Sequence, residues 1–207
     1  QEINRTVEHE IRSQGLDPML RVASESQIIG SINCGDSGAE ATAKYTLKDL
    51  TGLSSISIDS LTITSTTPSA DEERVHGSIA LSASISSNLN TNLGGTMTAN
   101  CSLFKPSLSL IGNVVVPTIT VTATGNFQAM VGREIAFTRI NITSPSLNYG
   151  TINVTIGDLG SIFSPLSQKL ENFILGTVKN KVIKNIEDVL TQTLNSAISS
   201  QLIQYAS

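Results

Sequence analysis

The spacing of apolar residues divides the chain into three stretches. In the first, Ile3, Val7 and Ile11 recur every four residues, with Glu2, Arg5, Glu8, Glu10 and Arg12 between them. This spacing predicts a short amphipathic helix over residues 1–15, ended by Gly15. Pro18 biases Asp17 toward extended backbone, so the chain takes a new direction at Asp17-Pro18-Met19.

From about residue 26 to 157 a period of two takes over, built on Val, Ile and Thr. Ile56 and Ile58, then Leu61 and Ile63, interleave with Ser, Asp and Thr. Their parity slips once near Asp59-Ser60, as a bulge makes it. Ile79, Leu81, Ala83 and Ile85 alternate more cleanly, and so do Ile119, Val121 and Ala123. Ile135 with Phe137, Ile140 with Ile142, and Ile152, Val154 and Ile156 complete the series. Such segments read as antiparallel strands with one face on a core and one in water. Pro68-Ser69-Ala70-Asp71-Glu72-Glu73 reads as a polar hairpin tip with solvated acids. Asn92-Leu93-Gly94-Gly95, Lys105-Pro106-Ser107 and Ser144-Pro145 read as further turns. The strands are long, often about ten residues or more, which implies strong twist and coiling.

After Gly157 the apolar residues fall at steps of three and four. Leu166, Leu170, Phe173, Ile174, Val178, Val182, Ile186, Leu190, Leu194, Ile198 and Leu202 form one stripe, with lysines and acids mostly off it. A helix over 162–204 follows, with Ser164 as its cap, Pro165 in its first turn and Gly176 as its weak point. At 1.5 Å per residue its roughly 40 residues reach about 60 Å. A stripe of that length needs an equally long apolar partner, and the chain has no second long helix. The coiled strands must therefore wrap it. The expected architecture is α+β: a long C-terminal helix wrapped by a highly curved antiparallel sheet, with a short N-terminal helix, all in one domain over 1–207.

Composition narrows the function. Charged residues make up only 14% of the chain and the net charge is −4, which leaves no electrostatic footprint for nucleic acid. Hydroxyls replace charge, with 28 Ser and 22 Thr among 207 residues. No apolar run approaches the roughly 20 residues of a membrane-spanning helix. The chain begins at Gln1 without a Met, which fits a mature product with its signal removed or simply a trimmed chain. Cys34 and Cys101 permit one disulfide, worth about 4 kcal/mol by loop-closure entropy, or stand as two separate thiols. Asn4, Asn100, Asn141 and Asn153 open Asn-x-Ser/Thr sequons, about as many as chance supplies in a chain this rich in Ser and Thr.

The residues of catalysis are missing. His9 and His76 are the two histidines, and both read as surface positions. No nucleophile elbow, phosphate loop, dinucleotide fingerprint or metal-ligand spacing is present. Neither an enzyme nor a cofactor or metal is expected.

The order of elements resembles the tubular lipid-binding superfamily over nearly the whole chain. Leu16-Asp17-Pro18-Met19-Leu20-Arg21-Val22 looks like the segment after the first helix in mite group-seven allergens and insect takeout proteins. Leu47 through Ile56, with its Gly52-Leu53-Ser54 step, resembles a strand and turn of the takeout and juvenile-hormone-binding group. Leu147-Asn148-Tyr149-Gly150 through Ile162-Phe163 is similar in kind to their final passage from sheet to helix. The cysteine pair differs, since takeout-like proteins carry theirs close to the N-terminus. The resemblance implies a secreted protein whose apolar tunnel, between helix and sheet, takes a lipid, fatty acid or terpenoid. It implies a lining drawn from Met19, Phe163, Leu166, Leu170, Phe173 and Ile174, faced by Phe127, Ile135 and Phe137. The same residues also read as ordinary core. A surface-active protein at a lipid or air–water interface is the alternative, and defence through microbial lipid a third. The net negative charge speaks against the third.

Overall fold

The computed structural model describes residues 1–35, 37–70, 73–132 and 135–204, apart from the side chains of Ile135, Ser144, Ile203 and Gln204. Asp71 and Glu72 of the expected hairpin tip lie outside the described residues. The first helix, α1 (Glu2–Ser13), buries Val7 and Ile11 as their spacing requires. It ends where Leu16 N–H donates to Ile11 O and Gly15 N–H donates to Arg12 O, with Gly15 at φ 67°. Only a residue without Cβ takes that left-handed position without strain.

Nine strands follow among the described residues: β1 (Met19–Asn33), β2 (Gly38–Thr51), β3 (Ile56–Pro68), β4 (Arg74–Ile85), β5 (Leu89–Ala99), β6 (Ser107–Val116), β7 (Ile119–Val131), β8 (Ile135–Asn148) and β9 (Asn153–Ile156). All pairings are antiparallel. The strands form a five-stranded sheet in the order β1-β2-β5-β6-β9 and a four-stranded sheet in the order β3-β4-β7-β8. Strand pairing begins at Met19, seven residues before the change of period places it, because Pro18 redirects the chain straight into β1. The bulge expected near Asp59-Ser60 is present, as a register shift between Ile58 and Ser60.

Two expected turns are strand instead. Asn92-Leu93-Gly94-Gly95 lies inside β5. A Cβ on Gly95 would stand 2.1 Å from the Lys44 carbonyl oxygen, so the glycine there serves the close approach of β2 rather than a turn. Ser144-Pro145 lies inside β8, where the register shifts between the pairs made by Thr122 and Thr124. Proline is tolerated because β8 is an edge strand and the two residues form a bulge.

The C-terminal helix begins at Gly160, not at a Ser164 cap. It runs through α2 (Gly160–Phe163), a 3₁₀ turn (Ser164–Leu166) that holds Pro165, α3 (Ser167–Thr177), a π-helical turn (Val178–Val182) and α4 (Ile183–Gln204). The irregularity falls just after Gly176 rather than at it.

The helices sit where the sheets open. α3 packs against β1 and β9, the two edges of the five-stranded sheet. α4 packs against β8 and α1 packs against β3 and α4, so the pair spans the two edges of the four-stranded sheet. Each sheet is thus curled until its edges meet a helix, which covers strands that would otherwise be free to pair with other chains. Polar side chains complete the edges: Asn4 Oδ1 accepts from Ile58 N–H, Asn185 donates to Val22 O, and Glu187 accepts from Leu147 N–H. The buried faces form one hydrophobic cluster that includes the whole inner stripe from Phe163 to Ile198.

Cys34, just past β1, and Cys101, just past β5, form a disulfide with Cα atoms 5.6 Å apart. No helix among the described residues is long and apolar enough to cross a membrane.

Candidate functional site

The residues expected to line a tunnel fall into two groups. Phe163, Leu166, Leu170 and Ile174 are fully buried on the inner face of the helix start, and Phe173 is half-buried beside them. Met19 is half-buried against the same core at the start of β1. Phe127 and Phe137 pair edge to face with centroids 5.5 Å apart, far along β7 and β8. They do not face the first group. Ser199 donates to Ile140 O and Asn195 pairs with Ile142, so Phe137 lies toward the far end of α4. About 25 helical residues, or some 40 Å, separate it from Phe173. The Ile135 side chain lies outside the described residues.

Of the first group, Phe173 opens to solvent, and it does so at the seam between α3 and β1. Two adjoining grooves share Asn172 and Phe173. One, of about 390 Å³, is lined by Ile29, Lys169, Asn172 and Phe173. The other, of about 220 Å³, runs on past Gly176 and Thr177 to Tyr45, Gln27 and an ion pair between Lys181 and Glu25. Ile29 and Tyr45 reach the seam because alternation along β1 and β2 turns both inward.

Polar chemistry at the seam centres on Tyr45 and Thr177, whose hydroxyls are 2.7 Å apart and buried. Thr177 Oγ1 donates to Phe173 O at 3.1 Å. Its single proton is thereby used, so Tyr45 donates and Thr177 accepts. Burial raises the Tyr45 pKa above its ordinary value; nearby Glu25 adds to the rise and Lys181 opposes it. Both residues escaped sequence reasoning. Thr177 was legible as a polar residue on the inner stripe between Ile174 and Val178, and Tyr45 as the polar-tipped member of the alternation Ala41, Ala43, Tyr45, Leu47.

The π-helical turn begins at Val178, directly after Thr177. Extra-wide turns of this kind recur at functional sites, because they displace side chains from the helical register.

A third groove, of about 370 Å³, opens at the helix start between Phe104, Pro106, Leu108, Leu159, Ile162 and Phe163. Phe104 and Ile162 in its lining are exposed, and Leu103, next to Phe104 in the chain, is 95% accessible.

No family model matches the sequence, and no curated protein does. Among solved structures, the chain is similar to lipopolysaccharide binding protein at 12% identity and a TM-score of 0.37, covering 95% of this chain and 35% of that one. It therefore spans about a third of that protein's length. It is also similar to Takeout 1 of Epiphyas postvittana, at 11% identity and a TM-score of 0.31, covering 99% of this chain and 88% of that one.

Of the sequon asparagines, Asn100, Asn141 and Asn153 are exposed. Asn4 is half-buried and already holds Ile58 N–H, so a glycan there would break that bond.

Proposed function

We propose that the chain is a secreted binding protein for a hydrophobic small molecule, taken up at the seam between α3 and β1. The observation that carries this reading is the groove at Phe173. There an apolar wall of Ile29 and Phe173 meets the Tyr45–Thr177 pair on one side and Lys169 on the other. An apolar surface with few convergent polar groups is what a small-molecule site requires. Lys169 has no side-chain partner among the described residues, so an elongated molecule with an acidic end, such as a fatty acid, matches the site better than a neutral terpenoid. The Cys34–Cys101 disulfide supports an oxidising compartment and hence secretion. The role is retention, not chemistry.

The test is native mass spectrometry of the protein from its source or a eukaryotic host, followed by organic extraction. A discrete added mass, lost on denaturation and reduced in Phe173→Ala, is the expected result. A single apo mass, with no uptake of fatty acids or terpenoids on titration, would sink the reading.

A second reading, activity at a lipid or air–water interface, is favoured by the exposed Phe104 and Ile162 of the groove at the helix start and by the exposed Leu103 next to Phe104 in the chain. Surface tension lowered by the protein without ligand, and restored by Leu103→Ser with Phe104→Ser, would support it over the carrier.

A further inference from the structure

The outward face of the four-stranded sheet carries an ordered array that the seam does not use. Registers between β3, β4, β7 and β8 place side chains in rows across the strands, about 4.8 Å apart within a row. One row reads Thr67, His76, Gln128, Arg139, and the next Ser65, Ser78, Asn126, Asn141. These two rows line a groove of about 460 Å³. A second groove of about 380 Å³ continues along the same face, over Ser82, Thr122 and Ser146.

Three observations bear on what fits there. The face is almost free of charge. Arg139, His76 and Arg74 lie at one end, and Asp59, which accepts from Ser84, at the other. The outward face of the five-stranded sheet instead carries Arg21, Lys44 and Lys48. The polar groups are also uncommitted: Asn126, Gln128, Thr122 and Arg139 make no side-chain hydrogen bond or ion pair among the described residues. Finally, the face is troughed and not flat, with register shifts at Ile63/Ser65 and Thr122/Thr124.

We propose that this trough binds an uncharged, chain-like glycan. Each of its hydroxyls both donates and accepts, as do the Ser and Thr hydroxyls and the Asn and Gln amides of the rows that would meet them. Its ring repeat is close to the strand spacing, so successive sugars meet successive columns of the array. Apolar surface on this face is limited to residues such as Ala80, in the second groove, and Met130, opposite Arg74, and a polyanion finds cations only at one end. The proposal is independent of the seam, which lies on the other sheet.

The test is titration of the isotopically labelled full chain, made without N-glycans and with its disulfide formed, using linear hexaoses of glucose, xylose and N-acetylglucosamine. The expected result is saturable amide shifts confined to β4, β7 and β8 around Ser78, Thr122 and Asn126. The affinity would be sub-millimolar for at least one sugar and about tenfold weaker in Asn126→Ala with Gln128→Ala. These two side chains are exposed and unbonded, and Thr122→Val, which removes a hydroxyl at constant shape, gives a second reading should the double variant misfold. No shifts at about 10 mM of any sugar, shifts clustered at Phe173 instead, or affinity unchanged in both variants would overturn the proposal. So would self-association through this face without sugar, which would assign it to a second copy of the chain.

Discussion

The side-chain amide of Asn195 pairs with both backbone groups of Ile142, Nδ2 donating to its carbonyl at 2.8 Å and Oδ1 accepting from its N–H. A helix side chain thus does for the edge strand β8 what a further strand would do. Ser199 on Ile140 and Glu187 on Leu147 extend the arrangement along the same edge. A part-buried strand edge left unbonded is costly, so these residues decide how firmly α4 closes the four-stranded sheet.

Asn195→Ala should therefore cost about 2–3 kcal/mol, since it leaves one donor and one acceptor of Ile142 without partners. Gln192→Ala, at an exposed position on the same helix, should change stability by no more than about 0.5 kcal/mol. Urea denaturation of the two variants checks this, and equal midpoints would mean that the Ile142 edge is served by water.

Gly95 and Gly176 should respond to alanine with opposite signs. At Gly95 a Cβ would meet the Lys44 carbonyl oxygen at 2.1 Å, so β2 and β5 must separate, at a cost of roughly 3 kcal/mol. At Gly176 a Cβ meets nothing within 4 Å, so Gly176→Ala should stabilise the helix by about 1 kcal/mol. Because Gly176 also lines the groove at Thr177, the same change should weaken uptake of a ligand at the seam. Thermal melts and a displacement assay read the two effects separately.

How far these features could be read beforehand depends on whether neighbours in sequence or neighbours in space decide them. The inner stripe from Leu166 to Ile198, the α1 face of Val7 and Ile11 and the alternation of β4 and β7 are set by local periodicity, and all stand in the structure as the sequence indicates. Gly94-Gly95 and Ser144-Pro145 carry turn chemistry yet lie within strands, because their reasons are a facing backbone and an edge position. Neither shows in a linear pattern. The division into two sheets is hidden for the same reason, since β2 pairs with β5 across the whole β3–β4 hairpin. At the seam, Phe173 was legible as part of the stripe. Its partners Ile29 and Tyr45 come from strands more than a hundred residues earlier, and only the fold brings them together.

The Tyr45–Thr177 bond should give stability an alkaline limit. The Tyr45 pKa is raised in the folded chain, mainly by burial, above the value of about 10 that it has when unfolded. Below pH 10 both states keep the proton and the contribution is constant. As pH rises past 10 the unfolded state loses its proton first, so stability falls until the folded pKa is passed. Tyr45→Phe should remove that alkaline loss while costing about 1 kcal/mol at neutral pH for the missing hydrogen bond. Denaturant midpoints at neutral pH and above pH 10, for both proteins, check the sign. A wild-type midpoint that does not fall would show that the tyrosine is not buried in solution.

The disulfide should matter most to the unfolded chain. Cys34 and Cys101 are 67 residues apart and join the ends of β1 and β5, which are not neighbours because β2 runs between them. Closing a loop of that length removes entropy worth about 4 kcal/mol from the denatured ensemble. Replacing both cysteines with serine should lower stability by about that amount while leaving the helix–sheet packing in place, because the bridge lies at the strand ends and not under the helix. Circular dichroism before melting should be unchanged and the melting temperature clearly lower. Asn100 adjoins Cys101, so a glycan at this sequon crowds the bridge; protein carrying one should melt no higher than protein without it. If the double-serine chain melts at the wild-type temperature, the hydrophobic cluster alone holds β1 and β5 in register and the bridge is dispensable for the fold.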